Sequence, residues 1–142
     1  SISGLTGFPA LSPYVSSKHA LEGFSESLRI ELLPFGIETA LIEPGSYKTS
    51  IWSTSLSNFM SVPADDSAYH QYYKKILSYV QKNGEESGDP QEVADLIYQL
   101  ATKQHIKNLR YPIGKGIKLT LLFRSLFPWS AWESILKKKL FS

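Results

Sequence analysis

The sequence has no cysteine, no excess of either charge and no long hydrophobic run. The first absence excludes disulfide staples and thiolate metal sites, and it suits a reducing, cytoplasmic setting, which is the expected location. The 15 basic and 13 acidic residues nearly cancel, to a net +2, so the chain lacks the electrostatic footprint of a nucleic-acid binder. No apolar run is long enough to cross a bilayer. Residues 1–13 lack the charged start and apolar core of a secretion signal. His19, His70 and His105 have no metal-ligand spacing, and no metal is expected. What remains is an ordinary globular composition over 142 residues, with 42% hydrophobic and 20% charged, sized for one domain or part of one.

The first eleven residues are small, glycine-bearing and apolar, and read as a loop. Ser12-Pro13 opens a helix, with Ser12 expected to cap it. Leu21, Phe24, Leu28 and Leu32 follow at helical spacing, and Gly36 stops the run. Ile37–Ile42 reads as a buried parallel strand ended by Glu43-Pro44-Gly45. Residues 46–63 form a long polar segment containing Trp52, Phe59 and Met60, of the length that usually serves function or is disordered. A helix is expected over 65–82, striped with Tyr69, Tyr72, Tyr73, Ile76, Tyr79 and Val80, followed by a break at 83–88. Asp89, Pro90 and Glu92 start another helix with a capping box. Leu109–Ile113 suits a last short strand, and 116–142 reads as one or two amphipathic helices divided near Pro128. The order is that of an α/β sheet, of which the chain carries too few strands for the whole.

Tyr14 and Lys18 lie four residues apart in the first turns of the first helix, on one face. A free tyrosine has a pKa of about 10, too high for acid–base work at neutral pH. A neighbouring ammonium favours the phenolate, and a tyrosine so held can exchange a proton with a carbonyl or alcohol oxygen. Spacing alone is weak, since chance supplies roughly one such pair in a chain of this composition. A second pair, Tyr111 and Lys115, fails physically: Pro112 and Gly114 break the helix that would align it.

The surroundings of Tyr14 are more specific. Ser1 stands thirteen positions before it, in Ser1-Ile2-Ser3-Gly4. Ala20-Leu21 follow Lys18, then the strand, then Pro44-Gly45-Ser46-Tyr47-Lys48-Thr49. In this order and spacing, residues 1–50 closely resemble the classical short-chain dehydrogenase/reductase family. The resemblance implies the C-terminal portion of a Rossmann-type doubly wound parallel sheet, and interconversion of an alcohol and a carbonyl with NAD or NADP. It implies that Ser1 bonds the substrate oxygen, with Ser3 as the lesser candidate. Tyr14 would be the acid/base, and Lys18 would hold the nicotinamide ribose. Pro44, Gly45, Tyr47 and Thr49 would bracket the nicotinamide, Tyr47 through its backbone; the family commonly has Val or Ile where Tyr47 stands. Asp89–Ala94 and Arg110–Gly114 resemble later family segments, the second as in retinol and 17β-hydroxysteroid dehydrogenases, which suggests a hydrophobic alcohol or ketone.

No Gly-x-x-x-Gly-x-Gly occurs in the chain. The family places that phosphate-binding loop in its first half, so residues 1–142 are expected to be the catalytic and substrate-binding half of a truncated or split protein. Such a half is expected to bind cofactor poorly and to leave apolar surface bare. The competing reading is an inactive interaction subunit that pairs with a homologous subunit through helix 13–35 and the hydrophobic tail; the partners expected are a homo-oligomer or a separately encoded N-terminal half. The aromatic and basic tail at 116–142 could meet a lipid surface, but covering a substrate pocket or packing on the core is the expected role.

Overall fold

In a computed structural model the described residues are 1–50, 63–84 and 87–141. The segment containing Trp52, Phe59 and Met60 lies outside them, as do the side chains of Tyr79 and Val80. The chain forms a short 3-10 turn at Ile2–Gly4, then α1 (Ser12–Leu32), β1 (Leu41–Pro44), α2 (His70–Gly84), α3 (Pro90–Ala101), β2 (Arg110–Ile113), α4 (Ile117–Leu126) and α5 (Trp129–Phe141). The strands pair in parallel, Leu41 opposite Arg110 through Pro44 opposite Ile113, and the described part of the crossover includes α2 and α3. A parallel pair needs such a crossover. This is α/β architecture with a small parallel sheet, part of a Rossmann-like fold.

α1 starts one residue earlier than expected. Leu11 holds the cap position without a side-chain bond, Ser12 is helical, and Val15 N–H donates to Leu11 C=O at 2.8 Å. Pro13, within the first turn, has no N–H to leave unpaired. A 3-10 turn at Leu33–Phe35 extends the helix to Gly36, whose φ of 67° takes the left-handed conformation that glycine adopts without strain.

β1 lies later than Ile37–Ile42. The backbone before Leu41 is engaged elsewhere. Ile37 N–H bonds Leu32 C=O, the Thr39 carbonyl accepts from the Arg29 guanidinium, and the Glu38 carboxylate takes the Ile106 N–H. Pairing begins where Leu41 N–H reaches Leu109 C=O at 2.6 Å. Arg29 also donates to the Ile106, Lys107 and Asn108 carbonyls, so one side chain ties α1 to the approach of both strands.

The helix expected from 65 starts at His70, because Ser67 turns the chain first: its hydroxyl accepts from Tyr69 N–H and its carbonyl from His70 N–H. Tyr69 is therefore exposed, while Ile76 on α2 is buried. The helix runs on through Gly84, past the expected break at 83. Asp89 does cap α3, accepting from Gln91 N–H at 2.9 Å behind Pro90. Glu92 serves elsewhere, accepting from the Tyr47 hydroxyl. Tyr111 sits in β2 and Lys115 beyond the Gly114 turn, so that rival pair is not helical. Among the described residues no helix is long and apolar enough to cross a membrane.

Candidate active site

Tyr14 lines a cleft of about 230 Å³ with Ala10, Leu11, Ser12, Pro13 and, from α2, Tyr73. Ala10 approaches it with a φ of 63°, uncommon for a residue with a side chain. Lys18, one turn along, places its ammonium 5.4 Å from the centre of the Tyr14 ring, within cation–π reach. The opening turn that holds Ser1 packs on this stretch of α1, where a Cβ on Gly4 would stand 3.1 Å from the Lys18 carbonyl oxygen. The Ser1 hydroxyl accepts from Ser3 N–H at 3.2 Å, capping the opening turn, while Ser3 itself is buried. The structure thus brings Tyr14 and Lys18 together, with the opening turn that holds Ser1 packed on their helix.

The second group of expected residues follows β1. Pro44 ends the strand, and Gly45 N–H donates to Ile113 C=O at 3.0 Å. A Cβ on Gly45 would stand 2.7 Å from Ile117 Cδ1, so glycine here lets α4 begin close to the strand end. The Tyr47 side chain turns inward. Its ring edge lies 2.8 Å from where a Cβ on Gly88 would stand, and its hydroxyl donates to Glu92 at 3.2 Å. Burial, then Glu92, push that hydroxyl above its ordinary range. Ser46 and Lys48 pair their backbones with Gly88 across a parallel bridge. The tyrosine that stands where the family commonly has Val or Ile is thus a packed side chain joining this turn to α3. Thr49 is exposed.

A group absent from the sequence reading lies behind the cleft. Glu22, the next position after Tyr14 and Lys18 at fourfold spacing, is buried. Its carboxylate accepts from Arg110 Nε at 2.9 Å. Arg110 also bonds Glu26 and lies 3.4 Å from Glu43, which is 1% exposed. Burial, then the Glu22 charge, push Glu43 up to about 7 against the pull of Arg110. Two signals were present in the sequence: a glutamate inside an otherwise apolar strand, and a third polar residue continuing the Tyr14–Lys18 face.

The three histidines serve locally. His19 bonds Val15 C=O, His70 lies between Pro63 C=O and Asp65, and exposed His105 pairs with Glu38. No cluster suited to a metal ion occurs among the described residues.

The sequence is similar to those of known proteins. The family model described as short chain dehydrogenase matches residues 1–58. A probable short-chain type dehydrogenase/reductase VdlC of Helicobacter pylori is 34% identical over 96% of this chain and 49% of its own length. The human 17-beta-hydroxysteroid dehydrogenase type 1 is 35% identical over 78% of this chain and 34% of its own. A 3-ketodihydrosphingosine reductase of Bacteroides thetaiotaomicron is 27% identical over 91% of this chain and 46% of its own. The chain thus spans about half the length, or less, of these curated relatives. With a parallel α/β frame, Tyr14 and Lys18 on one helix face and similarity running along nearly the whole sequence, the chain belongs to the short-chain dehydrogenase/reductase family.

Proposed function

We propose that this chain carries the proton-transfer and substrate-facing half of an NAD(P)-dependent oxidoreductase acting on a hydrophobic alcohol or ketone. The observation that carries the reading is the placement of Tyr14 in a cleft with the Lys18 ammonium over its ring. The Tyr14 hydroxyl gives its proton to a carbonyl oxygen in reduction and takes it back in oxidation. Lys18 holds its place beside the tyrosine ring, and Ser1 would orient the substrate oxygen. A bound nicotinamide supplies or accepts the hydride.

The residues present suit only the reacting end of such a cofactor. Lys18 would hold the ribose, and the turn from Pro44 to Thr49 would border the ring, Thr49 through its exposed hydroxyl. The named substrates of the relatives, a 17-beta-hydroxysteroid and a 3-ketodihydrosphingosine, are largely apolar and support a hydrophobic class.

The test is hydride transfer measured on this chain alone and with a Gly-rich nucleotide-binding half supplied from a relative. Turnover is expected in the second case and little in the first. Absence of cofactor binding in both would refute the reading. A second reading, an interaction subunit, is favoured by the bare apolar side of α1, where Phe24 is 62% and Ile30 67% exposed. A folded, monodisperse oligomer without cofactor affinity in light scattering would support it.

A further inference from the structure

Three carboxylates converge on one guanidinium where α1 seats against the strands. Arg110 Nε lies 2.9 Å from Glu22 Oε2 and 3.4 Å from Glu43 Oε1, and its outer nitrogen donates to Glu26. One positive charge cannot balance three negative ones. The mismatch falls on Glu43, which is 1% exposed and whose two oxygens lack a hydrogen-bond partner among the described residues. An ionised, unbonded carboxylate in that position is a costly arrangement. A proton removes the cost, because a carboxylic acid beside a carboxylate can donate to it.

The charged groups around Glu43 are few. α1 presents Glu22 and Glu26, with Lys18 one turn back, and β2 presents Arg110. α3 also packs on β1, but Glu92 is taken by Tyr47, Asp95 by Gln91, and Asp89 by its own cap. Arg110 favours an ionised Glu43, while burial and Glu22 oppose it and prevail.

We infer that Glu22 and Glu43 form a proton-sharing carboxyl pair under Arg110, whose protonation fixes how α1 seats on the strands. Gly4 makes room for it: a Cβ there would stand 2.7 Å from Glu22 Cγ. Since Glu22 is one turn from Lys18 and two from Tyr14, the pair acts as a positioning site for them. That consequence rests on the proposed oxidoreductase reading; the shared proton does not.

The experiment is a carboxyl titration, by NMR, of the full chain labelled with 13C-glutamate. One signal is expected to titrate near 7 and to vanish in Glu43→Gln. Glu22→Gln should lower that midpoint by removing the like charge, and Arg110→Met should raise it. The midpoint belongs to the pair rather than to either residue. Glutamates that all titrate in the ordinary range, or a midpoint indifferent to Glu22→Gln, would overturn the inference.

Denaturant unfolding against pH is a second readout. A folded value above the ordinary 4.5 means that the contribution of Glu43 to stability is full below 4.5 and is lost as pH rises through about 7. Glu43→Gln should therefore gain on wild type between those values. A gap that stays constant with pH would overturn the pair. Both readouts are taken without hydride transfer, so a failed activity assay leaves this result intact.

Discussion

The two sides of α1 differ. The side turned to the opening turn and the strands carries Tyr14, Lys18, Glu22, Ser25 and Arg29 beside half-buried Val15 and Leu28; the exposed surface mixes Leu21, Phe24 and Ile30 with Ser16, Ser27 and Glu31. A surface helix ordinarily turns mainly apolar residues inward. The polar side persists inside because its members are matched: Arg29 to backbone carbonyls, Glu22 to Arg110, Lys18 to the Tyr14 ring. An inward face with this many paired charges is a candidate positioned site, and the exposed Phe24 and Ile30 bear little of this chain's internal stability.

The comparison breaks most visibly at Tyr14. Tyr14→Phe keeps the ring under Lys18 and removes the transferable proton, so hydride-transfer turnover with a nucleotide-binding half present should fall about 10²–10⁴-fold. A smaller loss would move the acid–base role to another group. Next come the packed inward positions. Gly4→Ala drives a methyl group into the Glu22 stem and should cost about 1–3 kcal/mol in denaturant unfolding. Arg29→Met leaves the carbonyls of Thr39, Ile106, Lys107 and Asn108 without its guanidinium and should cost about 1–3 kcal/mol. Asp89→Ala removes the α3 cap for about 1 kcal/mol, a reference cost away from either side of α1. Phe24→Ser, on the outward side, should change stability by less than about 0.5 kcal/mol and reduce self-association in light scattering. A large loss there would show that the outer face supports this chain after all.

Periodicity made α1, the α3 cap, Gly36 and the split at Pro128 legible, since each rests on local chemistry within a few residues. The spacing of Leu21, Phe24 and Leu28 located the helix but not its inner face, because a stripe does not say what covers it. The strand shift from Ile37 to Leu41 was not readable: it depends on Arg29, Glu38 and Ile106 meeting across the fold. At the candidate site, the shared helix face of Tyr14 and Lys18 was legible from their four-residue spacing. The inward turn of Tyr47 and the meeting of Glu22, Glu43 and Arg110 were not, since their partners lie on other elements, as far apart as 88 residues in sequence.

The central claim is that the polar face of α1 is a proton-transfer surface with Tyr14 at its working end. Its most direct test compares wild type, Tyr14→Phe and Phe24→Ser in one assay: reduction of a hydrophobic ketone by NADH or NADPH, with the nucleotide-binding half supplied. The account predicts turnover in wild type and in Phe24→Ser, and near-background rates in Tyr14→Phe. Equal turnover in wild type and Tyr14→Phe would contradict it.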